Sequence, residues 1–176
     1  MRHIVSALLF VQLLLLAACD PANRVGGVPT PEGAVSFSLD ESQKKWEAQT
    51  IYGSPRKILV ELVPEGDRVE NWSEMVANQI VFTPLPMQEY VATWKNSLRQ
   101  VDPDIALEVV SALEEAVIVS YQSNIARETA IRKFMQGRDG IYMLAYHVRP
   151  ELADTAVLAR WEKIITEALL VENPAR

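Results

Sequence analysis

The stretch from residue 105 to 149 constrains this chain more than any other. It holds four strand-like runs in succession, at 105–111, 116–123, 128–136 and 141–149. Each contains β-branched or aromatic residues and is bounded by turn-forming ones. Gly137-Arg138-Asp139-Gly140 separates the last two runs and is a hairpin signal. Connections this short join antiparallel neighbours, because a parallel return needs a crossover of about a dozen residues or more. The stretch therefore predicts an antiparallel meander, stopped by Pro150.

The segments on either side supply the rest of the fold. Residues 34–39 alternate in polarity and read as a strand. Residues 44–52 alternate again, with Trp46, Ala48, Thr50 and Tyr52 on one face. Gly53-Ser54-Pro55 turns the chain into a third strand at 57–63, closed by Pro64-Glu65-Gly66-Asp67. Asn71 followed by Glu74 resembles a capping box. It predicts a first helix carrying Trp72, Met75, Val76, Gln79 and Ile80, stopped by Pro84 and Pro86. Met87, Tyr90, Val91, Trp94 and Leu98 form one apolar stripe and predict a second helix. Asp102-Pro103-Asp104 ends it. Residues 155–171 predict a closing amphipathic helix, with Val157, Leu158, Trp161, Ile164, Ile165, Ala168 and Leu169 on one side. The expectation is a single α+β domain over 34–171, an antiparallel sheet packed with about three helices, and a tail at 172–176.

The N-terminus has a different character. After Arg2 and His3, residues 4–18 are apolar except for Ser6 and Gln12. That run is 15 residues, whereas a spanning helix needs roughly 20. Its length and flanks fit a secretory signal peptide over 1–18. The only cysteine of the chain, Cys19, stands directly after it.

Leu16-Ala17-Ala18-Cys19 resembles the lipobox of bacterial lipoproteins. The resemblance implies diacylglyceryl transfer to the Cys19 thiol and cleavage between Ala18 and Cys19. Small residues let the backbone enter the peptidase, and only cysteine offers the thiol. Two or more acyl chains anchor stably, since burial contributes about 0.8 kcal/mol per CH₂ and one chain is marginal. An acid directly after the lipidated cysteine resembles the enterobacterial signal for retention in the inner membrane. Asp20 is thus the candidate sorting residue, with the outer membrane as the alternative and a simple polar tether as the other reading. Residues 19–33 then form the lipidated cysteine and a tether, rich in proline and glycine. Fully extended, 20–33 reach about 45–50 Å.

The element order resembles the PsbP-like fold, shared with DcrB-like bacterial lipoproteins. The residues that carry the resemblance are Val63-Pro64-Glu65-Gly66, Trp72 in the first helix, the 128–149 hairpin and Trp161 in the last helix. It implies a binding or assembly role and transfers no functional residue.

Composition narrows the function classes. Lys and Arg total 17 against 23 Asp and Glu, so no basic nucleic-acid surface is expected. Loss of Arg2 with the signal moves the net charge from −6 to −7. His147 is then the only histidine, and no G-x-S-x-G elbow accompanies it. It reads as a structural or surface histidine. One histidine and an acylated cysteine leave no His/Cys metal site, and no cofactor is expected. Asp102 and Asp104 read as a turn, Glu114 and Glu115 as a hairpin tip, and Arg138 and Asp139 as exposed turn residues. Trp46, Trp72, Trp94 and Trp161 fall one per element and read as packing, or as lining for a groove.

The expected function is a lipid-anchored, periplasm-facing lipoprotein that binds an envelope protein partner without catalysis. A small-molecule or lipid carrier and an envelope-acting enzyme are the alternatives. An exposed, continuous apolar groove favours the carrier, a buried carboxylate pair or an Arg–acid cluster in a cleft the enzyme, and a flat exposed apolar patch the partner-binding reading.

Overall fold

The computed structural model describes residues 31–39 and 44–172. Cys19, Ala18, Asp20, the signal peptide and most of the tether lie outside the described residues, as does 173–176.

Nine strands and two α-helices form the described domain. β2 (Trp46–Ser54), β3 (Lys57–Pro64), β4 (Glu74–Val81), β5 (Ala106–Ala112), β6 (Ala116–Ser123), β7 (Glu128–Gln136) and β8 (Ile141–Val148) build one sheet. All its pairings are antiparallel, in the order β2-β3-β4-β8-β7-β6-β5. β1 (Gly33–Ser36) and β9 (Leu169–Glu172) pair separately. The fold is α+β, as the meander implied.

The two helices cover opposite faces of the sheet. α1 (Met87–Val101) buries Met87 and Val91, with Tyr90 and Trp94 packed beside them. Its face meets Val117, Val119, Phe134, Ile141 and Met143. α2 (Thr155–Glu167) starts at Asp154, whose side chain accepts a hydrogen bond from the Val157 amide at 2.8 Å. It buries Trp161 and Ile165 against Ile131, Tyr146 and Val148 on the other face. β8 runs between the two cores and is buried along its whole length.

The first predicted helix is a strand. Residues 74–81 form β4, hydrogen-bonded between β3 and β8. The capping residues have other partners. Asp67 Oδ2 accepts from both the amide and the hydroxyl of Ser73, at 2.7 and 2.6 Å. Asn71 bridges back to Arg68. Glu74 faces α2 and accepts hydrogen bonds from Lys44 and from Tyr146 Oη, the latter at 2.9 Å. A strand packed on both faces shows no polar alternation, so its apolar residues also fit a helical spacing. The described residues therefore hold two α-helices plus a 3₁₀ turn at Pro150–Leu152, rather than three.

The last helix is also shorter than its apolar pattern. It ends at Glu167, and Leu169–Glu172 pair with β1 instead. Lys133 reaches across from β7 and donates to the carbonyls of Thr166 and Ala168, at 2.8 and 2.7 Å. It satisfies acceptors that a helix end leaves without partners.

The hairpin between β7 and β8 forms as expected, and its tight turn requires glycine. A Cβ at Gly140 would overlap the carbonyl oxygen of Val81. Both ends of the described domain meet this turn. The Glu32 amide donates to Asp139 Oδ2 at 2.8 Å, and Arg138 pairs with Glu172 at 3.0 Å. Among the described residues, no helix is long and apolar enough to cross a membrane.

Candidate functional site

α2 rests on β7 and β8 and leaves the α2 face of β5, and of β6 around Ser120 and Gln122, open, while Ile118 of β6 stays buried in the core. A half-open groove of about 580 Å³ lies there, within the range of roughly 300–1,000 Å³ that ligand sites occupy. β5 contributes Ala106, Glu108 and Val110. β6 contributes Ser120 and Gln122, and β7 adds Thr129 and Ile131. Leu158 and Glu162, one helical turn apart, line it from α2. The lining is mixed: apolar side chains, three neutral polar ones and two acids. Neither Glu108 nor Glu162 forms an ion pair among the described residues.

The groove borders an open sheet edge. Among the described residues β5 pairs only with β6, and its outer row of backbone groups has no strand neighbour there. The register shifts between Val109 and Ser111, which leaves Val110 as a bulge toward the groove. Val109 and Val110 are 42 and 39% exposed, and Leu113 at the hairpin tip is 66% exposed.

A buried polar network lies behind the same strands, on the α1 face. Tyr121 Oη donates to Glu128 Oε1 at 2.8 Å, and His147 Nδ1 lies 3.2 Å from Glu128 Oε2. Burial works to raise the Glu128 carboxyl. The hydrogen bond and charge of His147, the Tyr121 bond and the Arg132 charge outweigh it and hold the carboxyl below its ordinary value. Burial pushes the Tyr121 hydroxyl well above the usual phenol range, so it stays a donor. Trp72 and Tyr121 meet the His147 ring edge-on. Ser123 donates to Asp102 at 2.7 Å and ties the end of α1 to β6. His147 is 5% exposed, and its Nε2 has no partner among the described residues. The network joins α1, β6, β7 and β8 beneath the surface.

The other residues singled out from sequence are dispersed. Asp104, Glu114 and Glu115 are exposed, whereas Asp102 is buried. Arg138 and Asp139 are more than exposed turn residues. Asp139 accepts from Tyr142 Oη at 2.7 Å, and Arg138 holds both Glu32 and Glu172. The tryptophans pack. Trp161 stacks on Tyr146, Trp46 meets Trp161 edge-on, Trp94 packs on Phe134, and Trp72 lies under Arg149 at 4.1 Å. None of them lines the groove. The groove residues Glu108, Val110 and Glu162 were not singled out, because the groove depends on how far α2 reaches across the sheet.

Comparison of the chain with protein-family models, curated proteins and solved structures finds no match.

Proposed function

We propose that this chain is a lipid-anchored lipoprotein whose domain binds an envelope protein partner through the groove beside β5. The observation that carries the binding reading is the groove's position on an open, partly apolar sheet edge. Its mixed lining speaks for a polypeptide over a lipid, since an acyl chain would leave Ser120, Gln122 and Thr129 without partners. The anchor rests on Leu16-Ala17-Ala18-Cys19, and Asp20 supports the periplasmic face of the inner membrane over the outer membrane. The geometry suits that arrangement. Thr129 lines the groove eight residues before the Gly137 turn, where the chain enters the domain. At about 3.3 Å per residue the groove's far end lies roughly 25 Å from that entry point.

A likeness to the PsbP-like fold of DcrB-like lipoproteins belongs to the same proposal. The 128–149 hairpin and Trp161 in the last helix support it. Trp72 weighs against it, because it precedes a strand rather than sitting in a helix.

Crosslinking of the tagged, lipid-anchored protein in intact cells tests the reading. Ser120→Trp fills the groove from its β6 wall, beside Glu108. Recovery of a discrete envelope partner that is lost with Ser120→Trp is expected; a partner recovered equally by both contradicts it.

A further inference from the structure

We propose that the occupant of the groove is a basic, extended segment of the partner polypeptide, which adds to β5 as an eighth strand of the sheet. This rests on the partner-binding reading and gives it a chemistry.

The open edge is the first observation. Among the described residues β5 ends the seven-stranded order, and five of its seven residues are exposed, Leu107 and Ser111 being half-buried. Extended peptides join such edges through main-chain hydrogen bonds, and the side-chain environment supplies specificity.

Charge is the second. An added strand sends alternate side chains to each face. Those on the α2 face stand beside Glu108 and Val110, at the mouth of the groove. Every charged residue lining the groove is acidic: Glu108 on β5 and Glu162 on α2. A Lys or Arg fits this lining twice. Its aliphatic stem lies along Val110 and Leu158, and its charged head reaches the carboxylates. An acidic segment meets repulsion at both positions.

The same chemistry disfavours a second copy of this chain at the edge. β5 reads Ala-Leu-Glu-Val-Val-Ser-Ala and has an acid but no base. Two β5 strands side by side would add like charge and leave Glu108 without a counter-ion.

The test uses the full chain in detergent micelles and three probes. They are a fluorescein-labelled ten-residue peptide of alternating Lys and Thr, its Glu–Thr counterpart, and spermidine as an unlabelled competitor. Fluorescence anisotropy is expected to show binding of the Lys–Thr peptide and not of the Glu–Thr peptide. The E108Q/E162Q double variant is expected to weaken that binding about tenfold or more, as the charge-assisted contacts are lost. Both substitutions are isosteric and lie on exposed residues, so the fold is retained. Bound peptide is also expected to slow amide exchange within residues 106–112. Equal binding of both peptides, unchanged affinity in the double variant, or protection elsewhere than β5 overturns the proposal. So does spermidine displacing the peptide at equal concentration, which would mark a small polyamine as the ligand. If the in-cell partner is found but the Lys–Thr peptide does not bind, the partner-binding reading stands and the chemistry assigned to it falls. If the peptide protects β5 while no in-cell partner is found, the partner-binding reading falls and this proposal falls with it.

Discussion

The rings of Tyr146 and Trp161 lie flat against each other, their centroids 4.0 Å apart and their planes 10° from parallel. The pair ties β8, the most buried strand, to α2. Trp46 closes the other side of Trp161 edge-on at 5.6 Å. Trp161→Ala should therefore open a cavity at the centre of the α2 face and cost about 3–5 kcal/mol. Tyr146→Phe keeps the stack and removes one donor from buried Glu74, at a cost of about 1–3 kcal/mol. Urea unfolding of both variants checks the order. A larger loss for Tyr146→Phe than for Trp161→Ala contradicts it.

Glu128 links acid sensitivity to the buried network. Its folded carboxyl is held below the ordinary 4.5 against the opposing effect of burial. A group with a depressed folded value stabilises the fold above its unfolded value, and that stability is lost as pH falls through the folded value. The wild type should therefore lose stability more steeply than Glu128→Gln as pH drops below about 4.5. Urea midpoints measured across that window for both proteins test this. Parallel curves contradict it.

Lys133 has a structural role that its charge conceals. Its ammonium is buried and donates to two backbone carbonyls at the end of α2. Lys133→Met should leave those carbonyls unpartnered, cost about 1–3 kcal/mol, and loosen the turn into β9. Amide exchange at Leu169–Glu172 should rise with it. Unchanged exchange there contradicts the capping role.

The proposed lipid anchor is tested at Cys19. Cys19→Ser should abolish incorporation of labelled palmitate and leave an uncleaved precursor, visible as slower migration on a gel. Labelling that persists would falsify the lipoprotein assignment.

Much of the fold was legible because local signals and tertiary roles agreed. β6 and β7 have the bounds that their flanking turns imply, and the glycines at 137 and 140 announce the hairpin. β4 was illegible because burial on both faces erased its period, while Asn71 and Glu74 imitated a cap. β9 was hidden because the apolar pattern of α2 continues through Ala168 and Leu169 after the helix has ended. The network of Tyr121, Glu128 and His147 was implicit in the register. A symmetric hairpin about the 137–140 turn sets Ala130 opposite His147. The groove had no such trace. Glu108 and Glu162 lie far apart in sequence and line one site only because α2 stops short of β5 and β6.

The most direct test of the binding surface is a photoreactive side chain placed at two sites in living cells, in the full chain. One is Val110, on β5 beside the groove; the other is Tyr52, 49% exposed on the opposite edge strand β2. A discrete adduct with an envelope polypeptide is expected from Val110 and none from Tyr52. No adduct at Val110, or the same adducts from both edges, would contradict it.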